Sequence, residues 1–500
     1  MNVLFLLCDT FTREKLEPYH RAGGPYDHIR TPNLTRFAER AVCFDNHWLN
    51  SAPCMPARRD LFSGRIEFPW RSWGPRESFD PDWSVSLRDS AVETALFTDH
   101  ANLFDVGAGN YHHFFDTYHF VRGHVNDHLE LDTPVEPGRP GLMRELYLSA
   151  RRHEEDPDKS FVARNLGNVE GWLDAHAESK QPFFLLVDEF DPHWPLDPPE
   201  PYRSMYVENP ELLEKDFGSF YRGGSAEAYS EEELEWLNAQ YAGKVTMVDH
   251  YLGRLFDCLD RNRLWDDTMV VVTTDHGEFI GEYGQVSKGH GPSYPLFARI
   301  PLLIHYPGSP LHGDRWSEPT CAVDLHATVL EALGQDVDPA CHGASLLPVL
   351  RGGPGSRGEV IYGWWGKGFY RTDGHTLVCK APERPGPLYQ YGTNLGEKYV
   401  GLSGSYFDRY AGAEVGPFMP HTDRPVYRVP SDGMAYSAAD ADRDMFFDLD
   451  TDPDCRENLW NTAPDRRGRA LEKLSQAMRR IAVPDEHFRR LGLDGGGESA

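Results

Sequence analysis

Short apolar runs alternate with amphipathic segments through the first two thirds of the chain. Val3–Leu7, Pro182–Phe190 and Thr268–Thr274 are almost continuously apolar or β-branched, which is typical of strands covered on both faces. Phe161–Ala177 and Glu231–Leu264 carry apolar residues at helical spacing between these runs. Strands that alternate with helices predict a mostly parallel sheet flanked by helices.

Side chains that can bind metals or move protons follow these three strands and a fourth short apolar run, Glu93–Phe97. In chain order they are Asp9, His100, His193, Asp275 and His276. A single carboxylate after a strand is often a turn residue, and a lone histidine is more often structural. Because the ligand crevice of a parallel sheet lies beyond the carboxyl ends of its strands, we expect these side chains to meet at one edge.

The pattern changes near Pro354, where G-G-P-G-S-R-G-E is typical of a linker. Shorter, more aromatic runs follow at Val360–Trp364, Tyr370–Lys380 and Met445–Leu449, and Asp465–Ala482 has helical spacing. These runs predict a smaller C-terminal α+β subdomain with an antiparallel sheet, packed beside the main domain.

Three parts are therefore expected. They are a main α/β domain (1–355), the smaller subdomain (356–485) and a tail (486–500). The tail ends in G-L-D-G-G-G-E-S-A, which offers too little apolar surface to order itself, so we expect it to be flexible.

Charge and cysteine content narrow the choice of partners. The 78 acidic and 50 basic residues give a net charge of −28 and no basic stripe, which argues against a nucleic-acid partner. A local cationic pocket could still hold one anionic group. The eight cysteines are scattered without paired spacing, which favours reduced core thiols over a disulfide framework. The first apolar run is too short for a signal segment or a membrane span, so we expect a cytoplasmic protein without a membrane partner.

The segment Ser51–Arg65 contains the pentad C-M-P-A-R, with Cys54, Pro56 and Arg58. Pro56 can open a helix, which would place Cys54 at the positive helix N-terminus. Neighbouring arginines add positive charge, and such surroundings favour a thiolate or an anionic ligand. Taken alone, the pentad indicates either a reactive cysteine or an ordinary helix start.

Several motifs carry a family resemblance. C-M-P-A-R followed by L-F-S-G resembles the signature of the type I, formylglycine-dependent sulfatases of the alkaline phosphatase superfamily. The segments N-V-L-F-L-L-C-D-T, T-P-N-L-T-R-F-A, T-T-D-H-G-E-F-I-G-E-Y-G and F-D-L-D-T-D-P-D-C-R-E-N-L resemble further family segments in the family's order. Within that superfamily the chain is similar to the arylsulfatase and phosphonate monoester hydrolase branch.

The resemblance implies an alkaline-phosphatase-like α/β fold with one divalent cation at the sheet edge. Calcium is the usual ion of this family, with manganese or magnesium as alternatives. Carried over residue by residue, Asp9, Cys54, Asp275 and His276 would bind the cation. Cys54 would be oxidised to formylglycine by a separate formylglycine-generating enzyme that acts on the unfolded segment.

The resemblance also implies catalytic roles. Arg58 would hold the formylglycine hydroxyls, and Lys288 would bind the sulfate oxygens, although His290 lies close enough in sequence to take that role. His193 would protonate the leaving alcohol. His100 would help to break down the covalent intermediate.

Two positions depart from the usual family pattern. Thr10 stands where many members have a second carboxylate, and Thr98 stands where a basic residue is common. The pair Asp275-His276 replaces Asp-Asn, as it does in the related phosphonate monoester and phosphodiester hydrolases.

We therefore expect hydrolysis of a small sulfate ester to inorganic sulfate and an alcohol. One alternative is a phosphonate monoester or phosphodiester hydrolase with the same nucleophile. A second is a non-catalytic binding protein with the same fold. A homo-oligomer is compatible with each of these functions.

Overall fold

Helices and strands alternate along the chain, as the apolar pattern predicts. The computed structural model describes residues 1–105, 109–125, 127, 129, 146–148, 150, 156–215, 217, 223–384, 386–394, 412–431 and 442–493. Within these ranges the strands are β1 (Asn2–Cys8), β2 (Val42–Phe44), β3 (His47–Trp48), β4 (Ser51–Ala52), β5 (Glu93–Thr98), β6 (Thr117–Phe120), β7 (Phe183–Glu189), β8 (Gly224–Ser225), β9 (Thr268–Thr273), β10 (Phe279–Ile280), β11 (Gln285–Ser287), β12 (Leu302–His305), β13 (Arg315–Trp316), β14 (Thr320–Cys321), β15 (Val360–Trp364), β16 (Phe369–Thr372), β17 (Thr376–Lys380), β18 (Tyr389–Gly392), β19 (Glu414–Gly416), β20 (Val426–Pro430) and β21 (Met445–Asp448).

The α-helices pack against the faces of these sheets and beside them. Those that lie wholly within the described ranges are α1 (Pro32–Ala38), α2 (Cys54–Ser63), α3 (Trp83–Leu87), α4 (Phe161–His176), α5 (Glu231–Asn262), α6 (Pro295–Ala298), α7 (Ala322–Ala332), α8 (Leu347–Leu350), α9 (Pro464–Arg480) and α10 (Asp485–Arg490).

The largest sheet has eight strands in the order β13-β2-β12-β9-β1-β7-β5-β6. All neighbouring strands in it run parallel except β12, which is antiparallel to β9 and β2. Alternate residues of β1 enter two separate apolar cores, with Phe5 on one face and Leu6 on the other. Both faces are covered, which explains the near-continuous apolar sequence of β1 and confirms the mostly parallel α/β fold.

The start of α1 is stabilised by a residue far away in sequence. Thr31 precedes this helix, but its hydroxyl accepts a hydrogen bond from the Glu17 N–H instead of capping the helix. The carboxylate of Asp249, on α5, accepts the N–H groups of Asn33 and Leu34 at 3.1 and 2.8 Å. The N–H groups in the first turn of a helix need an acceptor oxygen, and in α1 a side chain of the distant helix α5 provides it.

The predicted strand Tyr370–Lys380 is wrong as a single element, because it forms the hairpin of β16 and β17. Its turn contains Asp373 and Gly374, and Gly374 has a φ of +85°. The Asp373 carboxylate accepts the N–H and the hydroxyl of Thr376 at 2.9 Å. An Asp-Gly pair is a strong hairpin signal, so the turn was readable from the sequence.

The C-terminal sheet reaches back to the residues that precede Cys54. Its order is β21-β17-β16-β15-β4, with antiparallel pairs except for the parallel pair β15–β4. In that pair Gly363 lies opposite Ser51, and Trp364 lies opposite Ala52. The C-terminal sheet therefore holds the chain immediately before α2.

The predicted flexible tail is wrong in its first residues. Helix α10 lies within it, and Phe488 and Leu491 are buried there. The N–H of Leu491 donates to the His487 carbonyl oxygen at 2.9 Å. The remainder of the predicted tail, residues 494–500, lies outside the described residues.

All eight cysteines are free of disulfide bonds, and seven of them are buried. Among the helices of the described ranges, none is both long enough and apolar enough to cross a membrane.

Candidate active site

Four potential metal ligands meet at the carboxyl ends of the central strands. Asp9 follows β1, Asp275 and His276 follow β9, and Cys54 is the first residue of α2. One ligand atom from each of these four residues lies within 4.8 Å of the other three, and all four residues are buried. The structure thus brings together the four ligands that the sequence analysis assigned to one cation.

Helix α2 aims Cys54 at this cluster from its first turn. The helix starts two residues before Pro56, and the Ala57 N–H donates to the Pro53 carbonyl at 2.9 Å. It ends at Gly64, which has a φ of +67°. A Cβ at Gly64 would lie only 2.5 Å from the Cys341 Sγ, so this position also needs glycine for space.

The polar groups nearest to the Cys54 thiol are an imidazole and an ammonium group. The Cys54 Sγ lies 3.3 Å from the His276 Nε2 and 3.0 Å from the Lys288 Nζ. The Lys288 Nζ is also 3.1 Å from the His193 Nε2. His290 is exposed, so of the two basic residues considered for this position Lys288 is the one at the thiol.

Of the thiolate and the anionic ligand that the sequence analysis considered, the surrounding protein groups by themselves disfavour the thiolate. Burial, followed by the Asp9 carboxylate, raises the pKa of the Cys54 thiol, although the Lys288 ammonium acts in the opposite direction. The unmodified residue therefore carries a protonated, weakly nucleophilic thiol.

Arg58 is fully buried and bridges three carboxylates. Its Nε and Nη2 donate to Asp188 at 2.7 and 2.6 Å. Its Nη1 donates to Asp275 at 2.7 Å and lies 3.0 Å from the Asp9 Oδ2. Because each of these carboxylates would be costly to bury alone, Arg58 fixes their geometry as one unit.

Sequence reasoning missed Asp188. It ends an otherwise apolar stretch of β7 and lies opposite Thr98 of β5, where family members often carry a basic residue. Its Oδ1 is 3.6 Å from the His100 Nδ1. A carboxylate in a strand buried on both faces must find a cation, and that requirement was the available signal.

The other two histidines with expected catalytic roles, His100 and His193, both stack against the ring of Phe190. The Phe190 ring centroid lies 4.4 Å from that of His100 and 4.3 Å from that of His193. The Asn102 amide donates to the His100 Nε2 at 3.0 Å. Burial, followed by the charge of Arg58, lowers the pKa of His100 to about 4. His100 therefore lies next to Asp188 and Asn102, and His193 faces Lys288.

The imidazole of His276 has the tautomer that a metal ligand needs. A carbonyl oxygen can only accept, so the Nδ1 that lies 2.9 Å from the Gly277 oxygen carries the hydrogen. The Nε2 lone pair then points to the cluster. Burial lowers the pKa of His276 to about 3 despite the Asp275 carboxylate, so the ring is neutral.

The carboxylates also fit a bound cation. Among the described residues neither side-chain oxygen of Asp9 accepts a hydrogen bond, although Oδ2 is ion-paired with Arg58 at 3.0 Å, and both oxygens are buried. Burial and the adjacent Asp275 carboxylate raise the pKa of Asp9, while the charges of Arg58 and Lys288 lower the pKa of Asp275 against the effect of burial. Oxygen ligands with unused lone pairs suit a hard divalent cation, which would remove the repulsion between the two groups.

Asp99 and Asp191 are two further buried carboxylates, and they lie one and two residues before His100 and His193. Burial and the Asp191 carboxylate raise the pKa of Asp99 to about 8 from its ordinary value of 3.8. Folded Asp99 therefore holds a proton that unfolding releases, and the free energy of unfolding falls as pH rises between these two values.

We expect the variant D99N to lose this contribution, which for one proton is about 1.4 kcal/mol per pH unit. Urea unfolding between pH 5 and 8 measures it. The wild type should lose stability more steeply than D99N as pH rises. D89N, which removes a charge whose side chain is 91% exposed, is the matched control. Equal slopes for D99N and the wild type would contradict the expectation.

Comparison with known proteins agrees with this geometry. The Sulfatase family model matches residues 1–335. The multifunctional alkaline phosphatase superfamily protein PehA of Trinickia caryophylli is 28% identical over 413 residues, which are 72% of this chain and 79% of that protein. The choline-sulfatase of Rhizobium meliloti (strain 1021) is 26% identical over 388 residues, 70% of this chain and 72% of that protein.

Among solved structures, the phosphonate monoester hydrolase of Agrobacterium radiobacter has a TM-score of 0.64 to this chain at 21% identity, with 96% of each chain covered. This likeness shows the alkaline-phosphatase-like fold. The family match spans well over half of the 500 residues and includes all four clustered ligands. The chain belongs to the sulfatase family of sulfuric ester hydrolases.

Proposed function

We propose that the chain hydrolyses the sulfate ester of a small alcohol with a formylglycine nucleophile derived from Cys54. The observation that carries this proposal is the cluster of Asp9, Cys54, Asp275 and His276, with the Lys288 Nζ 3.0 Å from the Cys54 Sγ. In the matured enzyme a hydroxyl oxygen of the hydrated aldehyde would stand in place of that sulfur.

The hydrated aldehyde carries two hydroxyl groups on one carbon. One hydroxyl oxygen attacks sulfur, and the bond between sulfur and the alcohol oxygen breaks. The other hydroxyl would then lose its proton to His100, which re-forms the C=O bond of the aldehyde and breaks the bond between that carbon and the sulfate oxygen. Water restores the hydrate, so no water molecule has to attack sulfur.

Lys288 and His193 support the first step in this proposal. Lys288 would stabilise the charge on the sulfate oxygens. The His193 Nδ1 lies 2.9 Å from the Trp194 carbonyl oxygen and so carries a hydrogen. Donation to the leaving-group oxygen therefore requires a second hydrogen on Nε2, and the Lys288 ammonium group, 3.1 Å away, would supply it. A bound divalent cation, calcium or alternatively manganese or magnesium, would polarise the attacking hydroxyl and the sulfate oxygens.

Removal of the cation is expected to abolish hydrolysis, and adding calcium, manganese or magnesium back should identify the ion that restores it. Binding should also raise the unfolding temperature of the wild type, because it relieves the repulsion between Asp9 and Asp275. The variant D9N should lose most of that metal-dependent shift. An unchanged shift in D9N, or full activity after exhaustive chelation, would contradict the proposed ligand set.

A second candidate is phosphonate monoester or phosphodiester hydrolysis by the same nucleophile. The observation that favours it is the Asp275-His276 pair together with Thr10, in place of a second carboxylate. Parallel rates on 4-nitrophenyl sulfate and 4-nitrophenyl phenylphosphonate separate the two. A higher kcat/KM on the sulfate supports the first proposal, and a higher value on the phosphonate supports the second.

If protein with a formylglycine at position 54 hydrolyses neither ester, that result would favour the remaining alternative, a non-catalytic binding protein with the same fold. The maturation enzyme, a homo-oligomeric state and a cytoplasmic location stay predictions.

A further inference from the structure

Lys244 lies on α5, outside the candidate active site, and is only 2% exposed. Its Nζ donates to the carbonyl oxygens of His193 and Pro195 at 2.7 and 2.9 Å. The same atom lies 2.5 Å from the Asp191 Oδ1. An ammonium group has three hydrogens. All three have an acceptor within a single segment of five residues.

This segment carries the proposed acid. Lys244 holds the backbone of His193 and of the residue two positions later. The side chain of His193 is held separately, through the Trp194 carbonyl oxygen, the Phe190 ring and the Lys288 ammonium group. The backbone clamp and the side-chain contacts together define where the imidazole Nε2 lies.

Close packing lets the helix reach this segment. A Cβ on Gly243 would lie 2.3 Å from the carbonyl oxygen of Tyr202, in the loop that follows residues 191–195. Only glycine at position 243 lets α5 pack this closely against that loop. Asp191 has a further partner, because the His124 Nε2 lies 3.4 Å from its Oδ1. Lys244 therefore serves both the Asp191 carboxylate, whose pKa it lowers against the effect of burial, and the two backbone carbonyls.

We propose that Lys244 is a positioning residue that holds His193 within reach of the leaving-group oxygen. The inference rests on the proposed role of His193 as the proton donor. The competing explanation is structural: Lys244 would only neutralise the buried Asp191 carboxylate. The two explanations differ in what they predict for substrates with different leaving groups.

Proton donation matters most when the leaving alcohol is weakly acidic. We therefore expect K244M to lower kcat/KM on phenyl sulfate about tenfold or more, and on 4-nitrophenyl sulfate by no more than about threefold. The leaving-group ratio is the kcat/KM on 4-nitrophenyl sulfate divided by that on phenyl sulfate. The reference variant H193A should raise this ratio more than K244M does. A double variant H193A/K244M should be no worse than H193A.

A variant without the charge pair separates positioning from neutralisation. D191N/K244M removes the carboxylate that K244M leaves buried without its ammonium partner, so it should unfold at a higher temperature than K244M. Methionine donates to neither carbonyl, so the double variant should keep the altered leaving-group ratio. If K244M does not fold, the ratio is read from D191N/K244M.

K380M is the matched control. Lys380 is a buried lysine of the C-terminal sheet that donates to Glu383 at 2.8 Å and to Asp444 at 3.0 Å. Its loss should lower the unfolding temperature and leave the leaving-group ratio unchanged.

An unchanged ratio in K244M, or a ratio restored to the wild-type value in D191N/K244M, would overturn the inference. A wild-type enzyme that hydrolyses neither aryl sulfate nor aryl phosphonate would instead reject the proposed function, together with the leaving-group role of His193.

Discussion

Replacement of Cys54 by alanine is expected to lower kcat/KM by about 10⁴-fold or more, because it removes the atom that forms the covalent intermediate. The fold should persist, since α2 keeps its first turn and its end at Gly64. Unfolding temperature and circular dichroism check the fold, and aryl sulfate hydrolysis checks the activity.

The variant C54A alone does not distinguish a thiol from an aldehyde. Reagents that attack aldehydes, such as hydroxylamine, should inactivate matured wild type, and iodoacetamide should not. The raised pKa of the Cys54 thiol makes alkylation slow even in immature protein. Rapid inactivation by iodoacetamide, with no effect of hydroxylamine, would contradict an aldehyde nucleophile.

Replacement of Arg58 by methionine should have the second largest effect. It leaves the carboxylates of Asp9, Asp188 and Asp275 buried without the guanidinium group that pairs with all three. Breaking such a network costs about 3–5 kcal/mol of unfolding free energy. We expect a loss of about 10³-fold in kcat/KM, because the metal ligands and His100 lose their fixed positions.

Arg59 offers a matched control from the same helix. It is equally buried, but its Nη2 donates to the Ser72 carbonyl oxygen at 2.6 Å, away from the cluster. R59M should lose stability and keep its metal affinity. R58M/D188N should regain part of the stability of R58M without regaining activity. A fully active R58M, or equal loss of metal affinity in R59M, would contradict the role given to Arg58.

The main sheet and the candidate metal cluster could be predicted because local signals agree with the global fold. The apolar run of β1 is continuous since both of its faces are buried, and its carboxyl end places Asp9 beside Asp275. Parallel topology turns residues far apart in sequence into neighbours at one edge. The family resemblance added the roles of Cys54 and Lys288.

Residues that act through distant partners could not be predicted. Asp188 acts by accepting hydrogen bonds from Arg58, and Lys244 acts by donating to the carbonyl oxygen of His193. In the sequence, Lys244 is one of several polar residues of a long amphipathic helix, and its face shows no pairing signal. The protonation of the Cys54 thiol could not be predicted either, because the pentad shows Arg58 but neither the burial of the thiol nor the carboxylates that surround it.

The most direct test is the mass of the peptide that spans Cys54, taken from folded protein made in its native host. Conversion to formylglycine replaces sulfur by oxygen with loss of two hydrogens, so the peptide should be lighter than the cysteine form by about 18 Da. The same sample should hydrolyse an aryl sulfate or an aryl phosphonate. An unmodified cysteine in fully folded, active protein would contradict the formylglycine mechanism.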